Sequence, residues 1–310
     1  MLSFKERLNN VAVKSDVLKE LTPEESVALK KCLLDIYQKI ADVCNHHDLT
    51  YMLAGGSCLG AVRHQGYIPW DDDLDLLMPR SDYEKLIDLC EKGELGGQYL
   101  FSYPNKHTDA PTMFLKIYMK GTLMKGLIGG DTPYPQECFV DIFPIDGMSK
   151  CSFIRKIKGF VADSLRLIAN TVAESSKMSD EERKLYATDN DLMNYIRKRK
   201  IIGRLFTVIP HKTWVWWYDR FVRNDSKKGL LGIPTGRMRY NGEVFSSSVY
   251  LPPTKGVFEG KDVFLPAKTD LYLKNLYHNY MEFPPIEKRE RHFFTKFFMP
   301  EEYYKGSDIR

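Results

Sequence analysis

Four aspartates within five residues, Asp71, Asp72, Asp73 and Asp75, run directly into the apolar segment Leu76-Leu77-Met78-Pro79. A chain can fold this way only if the charge is neutralised where strand meets core, because crowded carboxylates repel strongly in poorly solvated surroundings. Side chains two apart on a strand share a face. Asp71, Asp73 and Asp75 therefore line up if the strand begins that early, with Leu74 and Leu76 turned inward. Carboxylate oxygens are hard ligands suited to Mg²⁺ or Mn²⁺. The plainer reading of the same run is a solvated acidic turn ahead of the strand.

The segment upstream bears on that choice. "LTYMLAG" (Leu49 to Gly55) reads as a strand that ends at Gly55-Gly56-Ser57, a turn opening a short helix from Ser57. A helix N-terminus offers backbone N–H groups and a positive dipole end to an anion. Gly55, Gly56 and Ser57 are thus candidate phosphate contacts in front of the acids, with the "QGYIPW" loop between. Arg63 on the same helix is a further phosphate candidate or a surface arginine. Asp141, the lone charge among Phe139, Val140, Ile142 and Phe143, is a third candidate acid from a neighbouring strand, since a buried acid needs a partner. Its alternative is a strand-end turn residue. Asp146 beside Gly147 reads as an ordinary turn aspartate. Lys116 in "MFLKIYMK" is either a phosphate contact or an exposed strand lysine. His46, His47, His64 and Cys44 lack the spacing of a closed zinc site and read as a solvated helix end.

Around these residues the chain alternates strands and helices. Thr22 to His47 carries a capping box (Thr22, Glu25) with Pro23 at the first helical position, followed by helically spaced apolar residues. Ser81 to Glu91 is a helix capped by Ser81. "YLFSYP", "MFLKIYMKG" and Glu137 to Gly147 are strands, "VFEGKDVFLP" is a hairpin, and "TDLYLKNLYHNY" is helical. The expected fold is α+β, a mixed sheet with flanking helices and a basic helical insertion. Residues 1–149 form the catalytic core, 150–230 the basic region and 231–310 a C-terminal part that packs back on the core.

Charge distribution is more informative than the net +4, which is too small to imply nucleic acid. Lys150 to Lys228 contains eighteen Lys or Arg against nine Asp or Glu, a formal +9 that leaves the remainder near −5. "FIRKIKGFVADSLRLIA" sets Phe153, Ile157, Phe160, Val161, Leu165 and Ile168 on one side, and "HKTWVWWYDRFVR" adds three tryptophans near cations. Such helices suit the headgroup layer of an anionic membrane, or they pack on the catalytic half with their charges solvated. "MLSFKERLNN" has no signal-peptide core, and no run approaches the roughly 18 apolar residues of a membrane span. Six cysteines without a CxxC pattern read as reduced thiols. The expected location is cytoplasmic, with peripheral contact at the inner face of the plasma membrane left open.

The stretch "GGSCLGAVRHQGYIPWDDDLDLLMPRSDY" strongly resembles the signature of the LicD family, bacterial phosphotransferases related to fukutin and the fukutin-related protein. The family pattern is Gly-Gly-[Ser/Thr]-Leu-Leu-Gly-x-x-Arg, then Ile-Pro-Trp-Asp-Asp-Asp-x-Asp. Cys58 stands where Leu is usual. "VDIFPIDG" (Val140 to Gly147) matches a later family element, and "LPAKTDLYLKNLYHNYMEFPP" resembles its C-terminal part, with His278 replacing the more common Gly. The resemblance covers Leu33 to Gly147 closely and Gly256 to Arg291 loosely, and leaves the basic stretch between them unmatched and lineage-specific.

The resemblance implies a nucleotidyltransferase-type fold that moves a phospho-alcohol: phosphocholine from CDP-choline, onto a sugar hydroxyl of a teichoic acid or glycolipid. It implies Mg²⁺ (or Mn²⁺) on Asp73 and Asp75 with Asp71 and Asp141 contributing, and phosphate contacts from Gly55, Gly56, Ser57, Arg63 and Lys116. Asp141 would orient or deprotonate the acceptor hydroxyl. The partners implied are a CDP-alcohol donor, CDP-choline favoured, and a lipid-linked glycan or teichoic acid acceptor. A choline headgroup calls for an aromatic cage, for which Tyr67, Trp70, Tyr118 and Tyr134 are candidates against the plain reading of core aromatics. Two other functions stay open: nucleotidyl transfer or transfer of another phospho-polyol or sugar phosphate, and a non-catalytic glycan- or membrane-binding scaffold. The intact aspartates argue against the scaffold.

Overall fold

Thr22 and Glu25 close a reciprocal capping box at the start of helix α1 (Pro23–His46) in the computed structural model of the chain: Thr22 Oγ1 accepts from the Glu25 N–H at 3.2 Å, and Glu25 Oε2 accepts from the Thr22 N–H at 2.8 Å. The structure describes residues 11, 15, 18–126, 134–175, 178, 180–285, 289 and 293–305. Leu29, Leu33, Ile36 and Ile40 recur at helical spacing on one face of α1 and are fully buried. That face covers one side of a mixed sheet.

Four elements precede the sheet's centre: β1 (Met52–Leu53), α2 (Gly55–His64), β2 (Asp75–Pro79) and α3 (Arg80–Glu91). β3 (Tyr99–Ser102), β4 (Leu115–Met119), β5 (Leu123–Gly126) and β6 (Phe139–Met148) follow. The sheet order is β1-β2-β6-β4-β3, with β2 and β6 parallel and the other neighbours antiparallel. This is the expected α+β class with a mixed sheet. β4 is buried at every position because both its faces are covered.

Three local expectations are corrected. The second strand begins at Asp75, so Asp71 and Asp73 precede the ladder in irregular chain. The reason is the partners: β1 ends at Leu53 where α2 begins, and pairing with β6 starts at Asp141. Helix α2 begins at Gly55, two residues before Ser57. Helix α3 begins at Arg80 after Pro79, so Ser81 lies inside it and makes no cap.

The basic region forms α4 (Ser152–Ala173), α5 (Asp180–Tyr186), α6 (Asn190–Leu205) and α7 (His211–Val222). Trp214, Val215, Tyr218 and Val222 pack with Ala162, Ala169, Met113 and Met148, so this core runs into the sheet half. A buried ion network clasps the two together. Arg80 donates to Asp146 through Nε (2.8 Å) and Nη2 (2.7 Å), and to Asp219 of α7 through Nη1 (2.8 Å). Asp146 is therefore no turn residue: it lies within β6, fully buried, and also accepts from the Asn224 N–H at 2.9 Å. α4 turns only part of its expected apolar side inward. Val161, Leu165 and Ile168 are half-buried, whereas Phe153, Ile157 and Phe160 face solvent.

The C-terminal part contributes β7 (Leu230–Gly232), α8 (Arg239–Gly242), β8 (Phe245–Ser246) and α9 (Ser247–Tyr250). The hairpin of β9 (Thr254–Phe258) and β10 (Lys261–Leu265), helix α10 (Thr269–Tyr277) and β11 (Phe294–Phe298) complete it. β7 extends the sheet from β6, and β11 pairs with β5. α10 lies against α2 and ends at His278, whose φ of +54° explains why glycine suits that position.

Candidate active site

Asp75, Asp141 and Lys116 stand abreast across β2, β6 and β4, since the register pairs Asp75 with Asp141 and Asp141 with Lys116. The Lys116 Nζ lies 2.5 Å from Asp141 Oδ1 and 3.3 Å from the centre of the Phe139 ring. Lys116 is buried, which removes the exposed-lysine reading and makes it first of all the partner of Asp141. Burial, then Asp73, Asp141 and Asp71, push the Asp75 carboxyl well above the ordinary carboxylate range, with Lys116 opposing. Burial also raises Asp141, against the pull of Lys116.

The start of α2 faces this acidic row. Gly55 has φ +44°, and a Cβ there would sit 3.6 Å from Asp75 Oδ2. A Cβ on Gly56 would meet Asp71 Oδ2 at 2.5 Å and Asp73 Oδ1 at 3.9 Å, so only glycine lets the helix start and the acids approach this closely. The tandem glycines and the aspartates are thus two walls of one site. Two of the expected phosphate contacts are engaged within the protein. The Gly55 N–H donates to Tyr272 Oη at 3.1 Å, and the buried Ser57 Oγ accepts from the Asp75 N–H at 2.9 Å, tying α2 to β2.

A cavity of about 780 Å³ opens over these walls, within the roughly 300–1,000 Å³ of small-molecule sites. Gly55, Gly56, Asp71, Asp73 and Asp75 are among the residues that line it. Distant chain lines it too: the loop with Arg237, the end of α10 with Tyr277, and Arg289. Arg63 also lines it, held by donation from Nη1 to the Tyr280 carbonyl at 2.7 Å and stacked 4.9 Å from the Phe283 ring. Acids and arginines lining one cavity suit a ligand carrying phosphates together with a cation.

Of the four aromatic candidates, Trp70 alone lies on the cavity wall. Its ring carries the Arg289 guanidinium at 4.1 Å and Arg63 at 5.8 Å. Tyr67 packs on Phe258 and donates to the Lys30 carbonyl, Tyr118 bonds Ser102, and Tyr134 bonds His211. Those three are core or bracing aromatics. Sequence reasoning missed Arg237, Arg289, Tyr272, Tyr277 and Glu243, because no local pattern ties them to the aspartates. The one available signal was the C-terminal resemblance, which covers Tyr272, Tyr277 and Arg289.

Glu243 is a buried cavity acid whose Oε1 accepts from the Met238 N–H at 3.3 Å. Burial pushes its carboxyl from 4.5 up to about 7, against the Met238 N–H, Arg237 and Arg166. The folded state therefore keeps a proton that the unfolded chain releases. Stability is fully present below about pH 4.5 and falls as pH rises to about 7. Glu243→Gln is expected to gain on the order of 3 kcal/mol at pH 8 and almost nothing at pH 4. Denaturant melts at both pH values measure this, and an equal gain at the two would refute it.

Hard oxygen donors from Asp71, Asp73 and Asp75 could hold a divalent cation, which would relieve the repulsion that raises Asp75. Among the described residues, no three His, Cys, Asp or Glu side chains are already gathered as a metal cluster.

Residues 48–153 match the family model described as the LicD/FKTN/FKRP nucleotidyltransferase domain, a span holding β1 to β6 and every acid of the strand row. The chain is also 38% identical over 293 residues to the lipopolysaccharide cholinephosphotransferase LicD of Haemophilus influenzae, covering 89% of this chain and 97% of that protein. The chain belongs to the LicD family. An uncharacterized protein of Rickettsia prowazekii is 31% identical over 124 residues, 37% of this chain and 46% of that protein. About a tenth of the chain lies outside the Haemophilus match.

Proposed function

We propose that this LicD-family chain transfers phosphocholine from CDP-choline to a sugar hydroxyl of a lipid-linked cell-surface glycan, acting in the cytoplasm. The observation that carries the reading is the cavity itself: Asp71, Asp73 and Asp75 beside the glycine start of α2, in one lining with Arg63, Arg237 and Arg289. The 38% identity to a lipopolysaccharide cholinephosphotransferase supports the headgroup and the class of acceptor.

In this reading Asp71, Asp73 and Asp75, with Asp141 adjoining, hold Mg²⁺ or Mn²⁺. Bound there, the cation would offset charge on the diphosphate and the leaving CMP. Arg63, Arg237 and Arg289 bind and orient the diphosphate, as guanidinium groups suit phosphate oxygens. The Gly56 backbone lets the diphosphate lie close to the start of α2. The sugar oxygen attacks the phosphorus of the phosphocholine group, the bond from that phosphorus to CMP breaks, and the sugar proton passes to Asp141. Lys116 favours the ionised, proton-accepting form of Asp141. Its ion pair with Asp141 makes Lys116 a positioning residue in this scheme.

One observation favours a second donor class. The Trp70 face that would attract a quaternary ammonium is covered by Arg289 and Arg63, which suits a phospho-polyol or sugar phosphate better than choline. Incubation with Mg²⁺, a lipid-linked glycan acceptor and a panel of CDP-alcohols, reading CMP release, separates the two. CDP-choline is expected to turn over fastest. Preference for CDP-ribitol would replace the headgroup assignment, and silence with every donor would defeat the transferase reading.

A further inference from the structure

We propose that the outer faces of α4 and α6 form a docking surface for an anionic lipid bilayer. Phe153, Ile157, Phe160 and Leu167 recur at intervals of four, three and seven residues on α4, a single helix stripe, and all are exposed. Phe153 is 70% and Phe160 76% exposed. The inward side of α4 is filled by Gly159, Ala162, Ala169 and Val172, with Leu165 and Ile168 half-buried against the same core, and the exposed stripe lies outside it. α6 runs antiparallel alongside: Arg199 pairs with Glu174 at the end of α4, and Gly203 lies against the Thr171 carbonyl. This continues the apolar surface into Ile201, Ile202, Leu205 and, just past the helix, Val208, which are 59%, 47%, 72% and 90% exposed.

Charge complementarity decides the occupant. Lys156 on α4 and Arg197, Lys198 and Arg204 on α6 are exposed beside the apolar residues, while α4 contains one acid, Asp163, and α6 one, Asp191. A protein partner would be expected to match shape. A cationic helix pair with large exposed apolar side chains and few acids matches an acidic headgroup layer above acyl chains. Among the described residues no helix is long and apolar enough to cross a membrane, so the contact is peripheral. α4 also reaches the cavity: Arg166 Nη1 donates to the carbonyl of Gly236, a cavity-wall residue, at 3.2 Å. Docking by α4 would thus hold the cavity close to a lipid-borne acceptor.

Flotation of the full chain with phosphatidylglycerol vesicles and with phosphatidylcholine vesicles tests this without any catalytic readout. Binding to phosphatidylglycerol is expected at low salt, falling steeply as salt rises. Phe153→Asp with Phe160→Asp should weaken it by about tenfold or more, and Lys198→Glu by about fivefold or more. Release of CMP from a soluble acceptor reaction should be unchanged in these variants, which also reports that they fold. Failure of the folded wild type to float at low salt would overturn the proposal. Equal binding to both lipids would do so too, as would self-association abolished by the two Phe→Asp changes with no vesicle binding. An inactive donor assay with intact flotation would defeat the transferase reading and leave this one standing.

Discussion

Asp75→Asn is expected to cut phosphocholine transfer by roughly a hundredfold to a thousandfold, the scale on which electrostatic stabilisation of a reacting group is lost, while making the cation-free protein more stable. The two effects have one cause. Burial, with Asp73, Asp141 and Asp71 alongside, raises the folded pKa of Asp75, so the ionised carboxylate opposes folding above that value. Stability contributed by this site is greatest at acid pH and is lost as pH rises through the raised pKa. Asn at position 75 removes the charge without changing the shape, so the gain should be large in EDTA at pH 8 and small at pH 4. Mg²⁺ should raise the melting temperature of the wild type, by linkage, and leave the variant nearly unchanged. Asp73→Asn should lose transfer to a similar extent. Thermal melts with and without Mg²⁺, beside CMP-release assays, measure all of these outcomes. Near-normal turnover of either variant would remove the proposed role of the aspartates.

The second large effect lies away from the cavity. Arg80→Met should destabilise the fold by about 3–5 kcal/mol, because it leaves Asp146 and Asp219 buried without their shared guanidinium. The loss comes from stranding two carboxylates rather than from the attraction alone. Combining Arg80→Met with Asp146→Asn and Asp219→Asn should therefore recover part of the stability. Since Asp146 lies on β6 and Asp219 on α7, the single variant should also loosen the basic helices from the sheet half. Hydrogen exchange in α4 and α7 would report that loosening. A cost below about 1 kcal/mol would mean that the network does not clasp the two parts.

Much of the site was legible because its signals are local. The capping box of α1 and the β9–β10 hairpin depend on spacings of a few residues and formed where the spacings put them; the tandem glycines and the acid run meet in one site, although α2 starts at Gly55 and the strand only at Asp75. Errors began where partners across the fold decided. Asp146 beside glycine has the look of a turn, and only the approach of Arg80 from α3 makes it a buried strand residue. The stripe on α4 has the period of a core-facing helix, but the small residues of the opposite face pack inward, so the bulky side is outside.

The sequence by itself determined the residue types of the site: clustered carboxylates next to a helix start that tolerates close approach. Those properties reside in residue types at short separations. Only the tertiary structure decided that Asp141 stands beside Asp75, that Lys116 pairs with Asp141, and that Arg237, Tyr277 and Arg289 line the same cavity as the acids. These depend on strand register and on the return of chain more than 150 residues downstream. Such contacts are selected by burial and charge across the whole core, and no spacing within one segment encodes them.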